Sequence, residues 1–434
     1  MSLATVCLTA ALQGPLAPTS PEPGAGLRLA ALDPREDALV LAPRPIESRF
    51  DTLPLVEPHL SAHPANAEHL LVAAMVITDV TQPYRSARLT SFVSEDSGET
   101  WTETVHDWWG YDPWTAILES GETRMSWIGN EGAFRDRYPI RFFRSTDGGK
   151  SWSSERQTLA GNHDGTKLVA HGSDIWFTTV RFRGDHGADV ELHRARGEEA
   201  FAASGRIDGG GRRLNFCEPA VLSDGTVLVP ASDFLRRLWV QRLDPGASTL
   251  APPVDVSRRP GGARGYMRLV ADAHPDSPHR DRVYFVRAME NAGGVWLNTS
   301  SDRGTTWSPD TRIDLFAGRA PSRALVASAA VNEDGVLGVS WVDSQEDPEQ
   351  RETDVYFALS RDGGTSFQHP VRITRTSSSP RTEANDDVAN RFPGGGHYMG
   401  LAACADGAFQ LVWADSRSGV FQLRTCRVEI DAGV

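Results

Sequence analysis

The chain has 434 residues, 40 % of them hydrophobic and 23 % charged, with a formal net charge of −13. That length can bury a large core, and the acid excess excludes a general nucleic-acid or anionic-membrane surface, because phosphate binding needs clustered Lys and Arg. Forty Gly, 27 Pro and 12 Trp suit many short strands joined by turns, and no long helical periodicity is present, so the class reads as all-β.

Residues 1–35 form a leader with an apolar stretch followed by a Pro/Ala/Gly-rich tail, expected to be signal-like or disordered, although its first residues carry no Lys or Arg. No apolar run approaches the roughly 18 residues of a helical membrane span. The remainder, 36–434, reads as a single domain. Cys7, Cys217, Cys404 and Cys426 are scattered, and neither they nor the dispersed histidines have metal-ligand spacing, so no disulfide framework, metal or cofactor is expected.

Seven segments read as equivalent opening strands. They are EPHLSAHP (57–64), DPWTAILE (112–119), DGTKLVAH (164–171), EPAVLSDG (218–225), GYMRLVAD (265–272), SRALVASAA (322–330) and HYMGLAAC (397–404). Each is followed by an apolar second strand, often holding Trp, such as TRMSWIGN (123–130) or AFQLVWAD (408–415). The Tyr-Met-x-Leu pattern at 266–269 and 398–401 is a second mark of repetition.

An octapeptide, Ser-x-Asp-x-Gly-x-(Ser/Thr)-aromatic, recurs at SEDSGETW (94–101), STDGGKSW (145–152), SSDRGTTW (300–307) and SRDGGTSF (360–367). The Asp can accept backbone N–H bonds across a tight turn, the Gly allows a positive φ, and the aromatic pins the turn to a sheet. The long middle gap holds three periods of about 50 residues, the scale of a propeller array, and degenerate copies are expected at HRARGEEAF (193–201) and QRLDPGAS (241–248). The last unit lacks a fourth strand, which ALVLAPRPI (38–46) is expected to supply, closing the ring between the two ends of the chain.

These octapeptides resemble the Asp boxes of the BNR-repeat superfamily, whose best-known members are sialidases. The resemblance covers roughly 50–430 and implies a β-propeller with seven blades, or six as in typical sialidases. It also implies that Asp96, Asp147, Asp302 and Asp362 are structural, since the boxes lie on the blade periphery. With the leader, it implies a secreted or periplasmic protein, and the chain is expected to be a monomer.

Propeller ligands occupy the channel mouth, where the inner strands begin. There the sequence offers Glu57, His59, Asp112, Asp164, Glu218, Arg264, Tyr266, Arg268, Arg323, His397 and Tyr398, with the long insert 375–397 expected to lie over the channel. The sialidase resemblance implies an exo-glycosidase on acidic glycans. In that chemistry a glutamate activates a tyrosine nucleophile, an aspartate is acid/base, and arginines clamp a carboxylate. NFCEPAVLSDGTVLVPA (215–231) matches the family's glutamate motif and puts Glu218 in the base position, while Tyr398, ahead of Tyr266, is the nucleophile and Asp112 or Asp164 the acid/base. Arg264 and Arg323, with His59 and His397, are the expected substrate-binding groups. VEPHLS (56–61) departs from the family's Phe/Tyr-Arg-Ile-Pro motif and has no arginine. Two alternatives stay open: a non-catalytic propeller that binds a glycan or protein, and a uronate polysaccharide lyase using His59 and His397.

Overall fold

The computed structural model describes residues 38–431 apart from 84, 130–137, 154–156, 185–186, 234–236, 259–266, 290–292 and 316–321. Among the described residues the strands pair into seven antiparallel meanders whose first strands run side by side around an axis. Those inner strands are Leu55–His63, the second half of Thr102–Ile117, His163–His171, Ala220–Val221, Met267–Ala271, Ala324–Val331 and Gly400–Ala403. Thr102–Ile117 serves two units, because residues up to Trp109 pair with the strand Ala87–Ser94 and those from Gly110 pair with Thr123–Gly129.

The seventh unit is completed from the other end of the chain. Ala38–Val40 and Arg44–Pro45 both pair with the C-terminal strand Gln422–Ile430, as the sequence implied. The ring then closes by packing: a Cβ on Gly400 would stand 2.6 Å from Leu60 Cβ, so the last inner strand lies hard against the first. The core sits between neighbouring units and is dominated by fully buried aromatics, among them Trp114, Trp127, Trp341 and Trp413.

All four Asp boxes have one geometry. In the first, Gly98 N donates to Ser94 Oγ at 2.8 Å, and Asp96 accepts from Thr100 N at 2.9 Å and Thr100 Oγ1 at 2.6 Å. The same bonds recur at Asp147, Asp302 and Asp362. Each box joins the third and fourth strands of its unit, and its glycine rests on the preceding unit: Gly98 on Gln410, Gly149 on Leu71, Gly304 on Leu228 and Gly364 on Leu297. The two degenerate copies fall in the corresponding third-to-fourth connections of the third and fourth units.

The insert 375–397 folds into a short helix, Asp386–Arg391, and a turn at Pro393–Gly395. Val388, Ala389 and Phe392 are buried against the first unit's core, and Asn385 is pinned by Pro380 O and Phe421 N, so the insert is a built part of the mouth. Among the described residues no helix is long and apolar enough to cross a membrane.

Candidate active site

The inner strands of the first four units each begin with an acid, Glu57, Asp112, Asp164 and Glu218, three of them at irregular pairing. Register breaks lie between Val56 and His59, Tyr111 and Trp114, and Asp164 and Lys167. Glu57 and Asp112 take positive φ, 54° and 50°, although each precedes a proline. A side chain in that region costs of order 1–3 kcal/mol and persists only where its surroundings dictate it, which occurs most often at functional sites. The bulges turn the acids toward the axis.

Trp114 lies at the centre of the layer beneath them and is met from four other units. The His59 ring stands 3.8 Å from it and Tyr398 4.9 Å, edge to face. Lys167 Nζ is 3.7 Å and Arg268 Cζ 5.1 Å from its centroid. Below this floor, away from the mouth, a cavity of about 750 Å³ runs along the axis, lined by small residues such as Ala62, Ala116, Ala170, Ala271 and Ala402.

Glu57 is 1 % exposed and anchors the mouth. His397 meets its Oε1 through Nδ1 at 2.7 Å and through the backbone N at 3.2 Å. Arg391 Nη1 donates to His397 Nε2 at 2.9 Å, which leaves the Nδ1 proton for Glu57. Gly396 is needed for this approach, since its φ is 150° and a Cβ there would lie 2.8 Å from Glu57 Cγ.

The charges sort accordingly. Burial would raise the Glu57 carboxyl, but His397, a hydrogen bond with Asp112 and Arg391 outweigh it and hold the group at about 2. Burial, then repulsion by Glu57 and Asp164, lifts the Asp112 carboxyl well above its ordinary value and favours its neutral form. Asp164 is also raised, first by the protein crowded around it, though its side chain meets solvent across the open mouth. Burial brings Lys167 down to about 8.

Tyr398 lies beside Glu57. Its hydroxyl is raised well above its usual value by burial and then by the charges of Glu57 and Asp112. Among the described residues neither Tyr398 Oη nor Glu57 Oε2 has a partner at hydrogen-bond geometry.

Glu218, expected to serve Tyr398, is instead ion-paired with Arg268, both of them buried. Arg268 also donates to Ser328 Oγ at 3.0 Å, so this pair braces the fourth, fifth and sixth units. His59 belongs to the floor: its Nδ1 accepts from Thr115 N at 3.2 Å, and burial keeps the ring neutral. His397 is in the mouth, but on Glu57. Arg323 is exposed, with its backbone N bonded to Asp343. Arg264 and Tyr266 lie outside the described residues. Of the two expected clamp arginines, Arg323 is thus exposed and Arg264 lies outside the described residues, and no group of three or more His, Cys, Asp or Glu that could hold a metal occurs among the described residues. Sequence reasoning passed over Trp114 and Lys167. The available signal was register, since Lys167 in TKLVA aligns with Arg268 in MRLVA.

No family model matches the sequence, and no curated protein does. Among solved structures, an α-L-arabinofuranosidase from Fusarium graminearum with an iminosugar inhibitor superposes with a TM-score of 0.50 at 13 % identity, covering 74 % of this chain and 98 % of that one. The chain folds as a β-propeller. An α-L-arabinanase from Penicillium chrysogenum with arabinobiose gives 0.48 at 13 % identity over 90 % of this propeller and 98 % of that chain. The Trypanosoma rangeli sialidase with the inhibitor DANA gives 0.46 at 9 % identity over 90 % and 59 %. At these identities the likeness concerns the fold alone.

Proposed function

We propose that this propeller is a carbohydrate-active hydrolase that cleaves a glycosidic bond at the channel mouth, with Tyr398 as nucleophile, Glu57 as its base and Asp112 as acid/base. What supports this reading is the placement of the buried Tyr398 beside the buried Glu57 and next to Asp112, with the Glu57 carboxyl held down at about 2 and the Asp112 carboxyl pushed up by burial and its neighbours. A retaining glycosidase whose nucleophile is a tyrosine needs such a set at its first step: a phenol, a carboxylate to take its proton and a carboxyl to give one to the leaving oxygen.

Glu57 takes the Tyr398 Oη proton, and the phenolate oxygen bonds to the anomeric carbon as the glycosidic bond breaks. The Asp112 carboxyl gives its proton to the departing oxygen. Asp112, now a carboxylate, then draws a proton from a water that displaces Tyr398 from the sugar, and Glu57 returns the first proton to the phenolate. A tyrosine suits this place because a neutral nucleophile suffers no repulsion from the acids around it until the step begins. His397 and Arg391 position Glu57 and keep it ionised.

An acidic substrate was an implication of the sialidase resemblance; with Arg323 exposed and Arg264 outside the described residues, the reading extends to glycosides in general. The inhibitor-bound arabinofuranosidase of the same fold is consistent with a carbohydrate ligand. Export to the periplasm or beyond fits a glycan-degrading role and is part of the proposal.

The test is hydrolysis of a panel of aryl glycosides, neutral and acidic, by the wild type, Glu57→Gln and Tyr398→Phe. Turnover that falls at least 100-fold in both variants, with the fold intact, supports the reading. Silence with every glycoside, alongside measurable binding of an oligosaccharide, would favour a glycan-binding propeller.

A further inference from the structure

We propose that Lys167 is a positioning residue for Tyr398, its ammonium stabilising the negative charge that appears on the phenol when Glu57 takes the proton. This rests on the Tyr398/Glu57 reading and adds to it a cation not among the expected site residues.

The chain carries 44 Lys and Arg in total, yet only two are lysines, Lys150 and Lys167. Lys150 is at the surface, paired with Glu95 at 2.6 Å. Lys167 is at the axis, with Nζ 4.1 Å from the Tyr398 ring centroid and 3.7 Å from that of Trp114. A compact ammonium fits between two rings that stand edge to face, whereas a guanidinium is a broad plane with five directed N–H groups. Arg268, 5.1 Å from the same Trp114 ring, spends its charge on Glu218. Lys167 makes no ion pair with a described carboxylate, so its charge is available to the mouth.

The groups facing it are the carboxyls of Asp112, Glu57 and Asp164, the cation Arg268, the neutral ring of His59, the Cys217 thiol and Tyr398 itself. A cation over an aromatic face is attracted to the neutral ring and far more strongly to the phenolate, so its stabilisation grows as the proton leaves. The step balances without Lys167 losing a proton: the O–H bond of Tyr398 breaks, an O–H bond forms on Glu57, and the ammonium keeps its three hydrogens. The reduced basicity that burial gives Lys167 means that this cation is lost on the mildly alkaline side of neutrality.

Two measurements on the full chain test this. In the first, reductive ¹³C-methylation labels the two lysines and the N-terminal amine, and Lys150→Arg assigns the spectrum. The Lys167 methyl signal is expected to be ring-shifted and to titrate near pH 8, well below that of Lys150. A signal that titrates with Lys150 and shows no ring shift overturns the placement. In the second, the aryl glycoside best turned over by the wild type is assayed with Lys167→Met and Lys167→Arg. Lys167→Met should lower kcat about 100-fold, in the range of removing one preorganised electrostatic group, with KM changed less than two-fold. The fall in rate near pH 8 should also disappear, and Lys167→Arg should recover part of the rate. A wild type that loses its rate in Tyr398→Phe but keeps it in Lys167→Met overturns this inference alone. A wild type that hydrolyses nothing removes the parent reading and this one with it.

Discussion

His397 Nδ1 stands 2.7 Å from Glu57 Oε1, joining the end of the insert before the last inner strand to the start of the first. The contact spans 340 residues of sequence and forms only because the ring closes, so the site and the fold's closure are one event. Glu57 is consequently the acid whose removal should act on chemistry, while Glu218 is part of the frame.

Replacing each with glutamine should separate the two roles. Glu218→Gln leaves the buried Arg268 guanidinium without its counter-charge and should cost about 3–5 kcal/mol of stability. Glu57→Gln keeps the shape and a hydrogen-bond acceptor for His397, and its loss should appear in kcat, by about 10²–10⁴-fold for a proton-transfer group. Denaturant melts and steady-state kinetics on both variants check the assignment.

The two mouth acids should leave opposite marks on the pH dependence of stability. Glu57 titrates at about 2 in the fold against 4.5 normally, so its contribution is full above pH 4.5 and is lost as the pH falls toward 2. Asp112 is raised from 3.8, so its contribution is present below that value and is lost as the pH rises through its folded pKa. Melting temperatures across pH 2–8 should show a flatter acid arm in Glu57→Gln. Asp112→Asn should lose part of the decline toward neutral pH.

Much of the fold was legible because the Asp box is a local device. Ser145, Asp147, Gly149 and Ser151 complete their bonds within eight residues, so the pattern survives as a motif and its period counts the units. The opening strands were legible for a similar reason, since their alignment lists Glu57, Asp112, Asp164 and Glu218 at one position. What could not be read was which of them would meet Tyr398. That depends on the insert carrying His397 to Glu57 and on Arg268 reaching Glu218, and both are long-range contacts with no local sequence mark. Lys167 was hidden likewise, because a lysine in a strand is ordinarily a solvated group until the axis places rings on either side of it.

Removing a box carboxylate should destabilise without touching the site. Asp147→Ala deletes acceptors for Ser145 Oγ, Ser151 N and Ser151 Oγ and should cost about 1.5–3 kcal/mol, the scale of a hydrogen bond to a charged group. The kcat of the folded protein should stay within two-fold of the wild type. Urea melts and kinetics on the same preparation provide the check.

Gly396→Ala is a sharper probe of the mouth. The added methyl would stand 2.8 Å from Glu57 Cγ and 3.0 Å from its backbone, at a φ of 150°, so Glu57 must move away from His397. Activity should fall at least ten-fold, because displacement of a catalytic group by about 1 Å can cost 10²-fold. A crystal structure of the variant would show whether Glu57 has moved.

The most direct test of the catalytic reading is to trap the sugar on the protein. A 2-deoxy-2-fluoro glycosyl fluoride of the sugar that the wild type turns over should slow the second step more than the first, and intact mass followed by peptide mapping locates the adduct. The account predicts one sugar per chain, on the peptide containing Tyr398, and no adduct in Tyr398→Phe. Turnover with the label on a carboxylate such as Glu57 or Asp164, or with no covalent species under conditions that inactivate the enzyme, would contradict it.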